Sequence, residues 1–226
     1  MPVLGTSNVK NRENTDRTDR KTASKYAFKI LTDTNEYIKL AFIASLIISP
    51  LNLNALPDSY FPPIVYLFLV SLVNTIIFIL SITFEKPLKD NITVILKAFF
   101  VILITSFILY CLFCLIYSFF SSRIIGQAHT AKQFGLHASS YTYLPVVLVL
   151  MLVCPYWTIA WLGSFGIVLL MSYYIESTYF SHYSYTSKRT ERFHHIFIFL
   201  MYYGIALTCE EIPERVFLQM LYNLNK

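Results

Sequence analysis

Two glutamates and three histidines gather around one loop in the last third of the chain. Glu176 ends an apolar run, His182 follows it in the loop, and Glu191, His194 and His195 stand just beyond. Imidazole and carboxylate groups bind metals and transfer protons, so the set could serve either chemistry. However, the spacing matches no ligand template, and adjacent histidines on a helix point about 100° apart. We therefore predict no metal and no cofactor, with Glu176, His182, His194 and His195 as the candidate cluster if one is bound.

Cysteines are the next candidates for chemistry. Cys111 and Cys114 form C-x-x-C on one helix face, but they lie in an apolar run without a second pair or a nearby histidine. Such thiols behave as small hydrophobic side chains in a packed helix. Cys154 and Cys209 also lie in or beside apolar segments, so we expect no disulfide framework.

The longest uncharged run shows which elements must position these groups. Tyr141 to Ile175 contains 35 residues without Lys, Arg, Asp, Glu or His, and Cys154-Pro155 interrupts it near the middle. As one helix it would extend about 52 Å, whereas a bilayer core is about 30 Å thick. We therefore predict a helical hairpin within a bundle of membrane-crossing helices, since only helices and closed barrels satisfy the backbone in lipid.

Composition supports an all-α, polytopic transmembrane bundle. Apolar residues make up 56% of the chain and charged residues 14%, against roughly a quarter charged in soluble domains. The net charge of +5 comes largely from the N-terminal tail. We interpret it as a determinant of orientation and of attraction to anionic lipid, and not as a sign of nucleic-acid binding.

Both ends of the chain differ from this apolar middle. Residues 1–36 mix basic side chains with Asp, Asn, Ser and Thr and predict a disordered basic cytosolic tail. Residues 37–210 form the predicted transmembrane bundle. Residues 211–226 place Ile212, Val216, Met220 and Leu224 at i, i+4 spacing, which predicts an amphipathic helix at the membrane surface.

Within the bundle, the clearest crossings are residues 61–84 and 92–120 and the two hairpin arms on either side of Pro155. A polar loop from Ser121 to Ser139 precedes the hairpin, and its second half could form a helical approach that lengthens the short first arm. The last apolar run, residues 193–208, needs its flanks to cross. The first, residues 38–56, meets Pro50 and either crosses or lies in the interface.

This first segment decides between five and six crossings. After residue 57, five crossings place five Lys and Arg in inner loops and three in outer loops, whereas six reverse the count. The inner set for five crossings is Arg123, Lys132, Lys188, Arg189 and Arg192, and the outer set is Lys86, Lys89 and Lys97. Because inner loops are enriched in basic residues, five crossings are favoured and six are the alternative.

Tyr141 and Pro145 mark a bend at the start of the hairpin. A proline inside a membrane helix removes one donor and frees a carbonyl. We expect a hydroxyl of Ser140, Tyr141 or Thr142 to bind that carbonyl, with a kink as the result. Ser140, Tyr141 and Pro145 are accordingly our candidate structural or partner-binding motif.

The loop and hairpin together resemble the Ypt-interacting-protein (YIP) family. The pattern runs Thr130-Ala131-Lys132-Gln133-Phe134-Gly135-Leu136-His137-Ala138-Ser139-Ser140-Tyr141-Thr142-Tyr143-Leu144-Pro145, followed by two apolar stretches with a short break. In that family a polar segment leads to an aromatic residue shortly before a proline, and the domain has five spans. Ser140-Tyr141 and Pro145 stand where the family has Gly-Tyr and proline. The resemblance covers roughly residues 38–210.

One departure places the chain nearer the prokaryotic relatives. The eukaryotic branch carries an acidic-aromatic-Gly-Pro motif before its first span, and this chain has Ile48-Ser49-Pro50 there. The resemblance implies a non-enzymatic membrane protein that binds other membrane proteins or organises lipid, in vesicle trafficking and with small GTPases as partners if the source is eukaryotic.

Two classes of function follow from the sequence. The first is this YIP-type protein in contact with the bilayer and with membrane partners, further copies of itself among them. The second is a lipid-modifying enzyme or small permease that uses the cluster between Glu176 and His195. A basic-tailed bundle suits a bacterial inner membrane as well as an ER or Golgi membrane, and the sequence does not separate these.

Overall fold

The computed structural model describes residues 25–44, 51–85, 92–183, 185 and 187–224, which form helices and short connections without a strand among them. Residues 25–44 are helical and are called α1. A single 3-10 turn, Leu53–Ala55, precedes the remaining helices. These are α2 (Phe61–Glu85), α3 (Ile92–Ile124), α4 (Ala131–Ser140), α5 (Tyr143–Val153), α6 (Trp157–His182) and α7 (Lys188–Leu224).

Among the described residues, five segments are long and apolar enough to cross a membrane. They are Phe61–Thr83, Ile95–Ile124, Ala131–Val153, Trp157–His182 and Lys188–Gln219. The shortest has 23 residues, or about 35 Å of helix, which exceeds the bilayer core of about 30 Å. The prediction of an all-α, five-span bundle is confirmed, and the chain is an integral, multi-pass membrane protein.

The hairpin is confirmed, and its first arm has two parts. The turn lies at Cys154-Pro155, between the end of α5 and the start of α6. α5 has only 11 residues, so α4, which precedes it in the chain, supplies the rest of the crossing. The predicted helical approach is therefore part of the span, and Tyr141–Thr142 forms a step inside it.

Local sequence signals set the loop between α3 and α4. Gly126 has φ of 72°, and its N–H donates to the Arg123 carbonyl while the Gln127 N–H donates to the Ser122 carbonyl. This pair of bonds is the Schellman ending that glycine favours. Three residues later, Thr130 and Gln133 form a capping box that starts α4.

The described residues on both sides of positions 45–50, in the segment before α2, contact the same end of the bundle. Residues 25–36, which we assigned to the disordered tail, are helical as the first part of α1. The side chains that α1 buries, Thr34, Tyr37, Ala41 and Ala44, stand at helical spacing. After the break, the Leu51 N–H donates to the Thr178 hydroxyl (3.1 Å), near the end of α6.

The neighbouring bonds identify this end of the bundle. The Leu53 N–H donates to His182 Nε2 (3.3 Å), and the Tyr37 hydroxyl donates to the Gly135 carbonyl (2.6 Å), early in α4. Tyr37, Leu51 and Leu53 therefore lie at one end of the bundle, which agrees with five spans. Residues 1–24 and 45–50, with Ile48-Ser49-Pro50 among them, lie outside the described part of the chain.

The first hairpin arm is the centre of the bundle. In Ala131–Val153, 56% of the span is buried, compared with 28–39% in the other four. α4 is buried at nearly every position and contacts α2, α3 and α6. The same stretch carries the YIP-like pattern, so that pattern lies in the interior of the protein.

At the other terminus, α7 continues without a break past Pro213 to Leu224. The segment predicted to be an amphipathic tail is helical as far as that residue, and it prolongs the last span. Its position at the membrane surface stays a prediction.

Candidate functional site

The centre of the bundle contains a hydrogen-bonded group of hydroxyls around one histidine. His137 Nδ1 lies 2.8 Å from the Tyr202 hydroxyl of α7, and Nε2 lies 3.0 Å from the Tyr179 hydroxyl of α6. All three side chains are buried. His137 thus joins α4 to two other helices, and we call this group, with Ser140, the His137 cluster.

The number of protons fixes the direction of these bonds. Ser140 Oγ lies 2.6 Å from the His137 carbonyl oxygen and 2.7 Å from the Tyr202 hydroxyl. Because the carbonyl can only accept, Ser140 donates to it and accepts from Tyr202. Tyr202 then accepts from His137 Nδ1–H, and Tyr179 donates to Nε2. Every group in this cycle is paired when the imidazole carries its hydrogen on Nδ1.

Of the three predicted motif residues, Ser140 takes part in this cluster and Tyr141 lies beside it. The Tyr141 side chain is fully buried, and its ring packs edge-on against Tyr110 (5.7 Å between centroids) and Tyr202 (6.4 Å). No hydrogen-bond partner is found for its hydroxyl in the described structure. Tyr141 therefore contributes mainly through the packing of its ring.

Pro145 differs from our expectation in its position. It is the third residue of α5, where a missing N–H costs little because the first turn has no intrahelical acceptor for it. The carbonyl it frees is that of Tyr141, which accepts from the Leu144 N–H (3.0 Å) and not from a hydroxyl. The expectation that a hydroxyl of Ser140, Tyr141 or Thr142 binds this carbonyl was therefore wrong. The interruption in the helix lies before Pro145, at Tyr141–Thr142 between α4 and α5, where both residues keep αR dihedrals.

The other hydroxyls near this step bind elsewhere. Thr142 Oγ1 donates to the Ser139 carbonyl (2.7 Å) and contacts the Tyr66 hydroxyl of α2. Ser139 Oγ lies 3.1 Å from the Tyr174 hydroxyl of α6. Together with the Tyr37 bond to Gly135 and the bond from Ser122 of α3 to Gln133 (2.8 Å), α4 and the step hold five other helices through side-chain hydrogen bonds.

The histidine and glutamate candidates are divided among separate contacts. Glu176 Oε2 lies 3.6 Å from His195 Nδ1, whereas His182 binds the Leu53 N–H. His194 Nδ1 lies 2.8 Å from the Tyr185 hydroxyl, and its ring packs on Tyr179. Over the described ranges, no three His, Cys, Asp or Glu side chains are placed to hold one metal ion.

The remaining candidates have structural contacts. Cys114 is buried, and its thiol donates to the Phe134 carbonyl (3.4 Å), while Cys111 is half-buried. Outside the spans, burial raises the pKa of Tyr37 and Tyr185 and lowers the pKa of His129. These shifts arise from desolvation and keep the three groups uncharged at neutral pH.

Sequence reasoning missed His137, Tyr179 and Tyr202 as central residues. His137 was assigned to a polar loop, although polar groups within a span normally face the bundle interior. Its spacing of three and four residues from Ser140 and Tyr141 was an available signal, since these positions share a helix face. The tyrosines carry no such signal, because the chain has 17 of them.

No protein-family model, no curated protein and no solved structure matches this chain. The hydrogen-bonded side chains of the His137 cluster join α4 to α6 and α7.

Proposed function

We propose that the chain is a non-enzymatic membrane protein of the YIP type, which binds other membrane proteins or organises lipid and uses its basic N-terminal segment as the soluble contact. The observation that carries this proposal is the use of the interior polar groups. The side chains of the His137 cluster bond to one another, so their donors and acceptors hold α4, α6 and α7 together.

The distribution of exposed groups supports a role in contact. The outer faces of the spans carry large apolar side chains, for example Ile104, Ile108 and Leu200, each more than half exposed. These faces suit lipid or the spans of a partner. In the eukaryotic branch of the YIP family such proteins serve vesicle trafficking, and the proposal includes that role if the source of this chain is eukaryotic.

The test is an N-terminal segment without its basic side chains. Lys10, Arg12, Arg17, Arg20 and Lys21 are replaced together with Gln, and in-membrane cross-linking is compared with the unaltered chain. Residues 25–36 are left intact because they belong to α1, which packs on the bundle. We expect cross-links to partner membrane proteins to be lost while thermal unfolding is unchanged. Unchanged cross-linking would contradict the proposed use of this segment.

One contact favours the alternative of an enzyme or permease. Glu176 and His195 approach within 3.6 Å, and a carboxylate beside an imidazole is a common acid–base pair. The double variant Glu176→Gln, His195→Gln tests it, since His195 is more than a third exposed. Our proposal expects the variant to keep the cross-linked partners and the cellular activity of the chain. Loss of activity with partners retained would support the alternative.

A further inference from the structure

An apolar groove opens on the flank of α1. It has a volume of about 610 Å³, which lies within the usual range for sites of small molecules, roughly 300–1,000 Å³. Ile38 and Phe42 of α1 form one wall, Val73 of α2 and Val146 of α5 form the next, and Leu170 of α6 completes it. Four helices thus meet around one opening.

The step in the first hairpin arm forms part of this groove. Thr142, Tyr143 and Pro145, where α5 begins, are among its lining residues. Protein interiors are otherwise packed to the density of organic crystals, and an unfilled space forfeits dispersion contacts along its walls. A gap of this size within the spans therefore calls for an occupant.

The polar groups of the lining are already paired, which identifies an apolar occupant. The Tyr66 and Thr142 hydroxyls contact each other, and the Tyr143 hydroxyl donates to the Tyr202 carbonyl (2.8 Å). A polar ligand would have to compete with these bonds. The wall residues Val73 and Val146 are 44% and 51% exposed, so the groove opens toward the bilayer, whose acyl chains match its lining.

The cation of α1 that is nearest in sequence to the lining residues is Lys39. It is exposed, directly follows Ile38 and lies one turn before Phe42, both of which line the groove. Tyr37, two residues earlier, binds the carbonyl of Gly135, the fifth residue of the hairpin arm. Lys39 is therefore near the membrane surface, where its side chain can reach a phosphate while its stem stays against apolar groups.

We propose that the groove holds one acyl chain of a phospholipid whose phosphate is bound by Lys39. This inference rests on the proposed function in one respect, namely that the bundle lies in a bilayer and contacts lipid. It adds a defined site with a defined headgroup contact, in place of general contact with lipid. Val146 and Lys39 are the residues that test its two halves.

The acyl half is tested by filling the groove. Purified full-length chain in mild detergent is incubated with palmitoyl-oleoyl phosphatidylglycerol, and bound lipid is counted by native mass spectrometry. We expect one retained lipid per chain, reduced at least about fivefold by Val146→Trp, equivalent to about 1 kcal/mol. The matched control is Ile108→Trp, at a similarly exposed position on α3 (57%), which should retain the lipid. Val73→Trp is the second filling variant should Val146→Trp not fold.

The headgroup half is tested by charge. Lys39→Gln should lower retention about threefold, while Lys29→Gln should not, because Lys29 faces a separate polar cavity with Asp33 and Asp58. Dioleoylglycerol, which has no phosphate, should bind weakly and without dependence on Lys39.

Two outcomes would overturn the proposal: equal retention in Val146→Trp and Ile108→Trp, which indicates annular lipid only, or equal retention in both lysine variants. Because no partner is present in this assay, a failure here leaves the cross-linking result untouched. Conversely, the chain without the five basic side chains of the N-terminal segment should still retain lipid if only the partner-binding role fails.

Discussion

Replacing Tyr202 with Phe removes one oxygen from the centre of the bundle and tests whether the His137 cluster holds the fold. The Tyr202 hydroxyl lies 2.8 Å from His137 Nδ1 and 2.7 Å from Ser140 Oγ. The ring is fully buried and its packing is preserved by Phe, so the change isolates the hydroxyl. The bond from Tyr143 to the Tyr202 carbonyl is also preserved.

The expected magnitude follows from the two bonds. Hydrogen bonds between membrane helices average about 0.6 kcal/mol and reach about 1.7, so two of them give about 1.2 kcal/mol. Ser140 keeps its bond to the His137 carbonyl, whereas the His137 Nδ1–H is left without an acceptor, which costs about 1–3 kcal/mol in a buried position. We expect the free energy of unfolding to fall by about 2 kcal/mol in total, within these two limits.

The measurement is equilibrium unfolding in mixed micelles, followed by circular dichroism as the denaturing detergent is increased. The matched control is Tyr203→Phe, which removes the same atom from the next residue, whose ring packs on Trp161 and Phe165. A double-mutant cycle with Ser140→Ala should give a coupling of about 0.5–1 kcal/mol. If Tyr202→Phe and Tyr203→Phe agree within about 0.3 kcal/mol, the cluster does not stabilise the bundle as argued.

Three further predictions test the packing, the pH response and the orientation. Gly135→Ala places a Cβ 3.3 Å from Pro63 Cγ, closer than ordinary van der Waals contact, whereas Gly166→Ala places one in open space. Because both variants gain the same helix propensity, Gly135→Ala should be less stable than Gly166→Ala by about 1 kcal/mol in the same unfolding assay. Burial lowers the pKa of His129 below 6.5, so unfolding takes up a proton between the folded and unfolded pKa values; stability should fall as the pH drops below about 6.5, and less so in His129→Gln. Cys154, kept as the only cysteine, should react with an impermeant maleimide on the face opposite the N terminus, while His129→Cys in a cysteine-free chain should react on the N-terminal face; labelling of both from one side would contradict five spans.

The spans and the hairpin could be predicted because their signals are large. An uncharged run of 35 residues that is broken by Cys154-Pro155 has few solutions in a bilayer. The Thr130 and Gln133 pair that begins α4 is likewise a local pattern with a known structural meaning. Lipid exposure and capping are properties of a short stretch of sequence, so they can be read before the fold is known.

The segment before α2 could not be predicted in the same way. Its position depends on Thr178 and His182, which lie more than 120 residues later and bind the Leu51 and Leu53 N–H groups. Nothing in residues 38–56 encodes these partners. Hydropathy therefore left crossing and interfacial positions open, and positive charge in the loops decided between them. The helical start at residue 25 was missed because residues 25–32 are all exposed, so no buried stripe marks them in the sequence.

Polar groups at the centre of this bundle explain why an apolar chain with so little charge adopts one arrangement. In lipid, apolar side chains gain little by leaving the bilayer for a neighbouring helix, so apolar faces alone do not fix which helices pair or at what height. Bonds from α4 specify both, because His137 reaches Tyr179 and Tyr202 only at one height of α6 and α7. The step at Tyr141–Thr142 follows directly after these bonds, and Thr142, Tyr143 and Pro145 line the groove beside α1. The fixed centre and the lipid-facing groove thus share one short sequence, and a substitution that disturbs the step should affect both together.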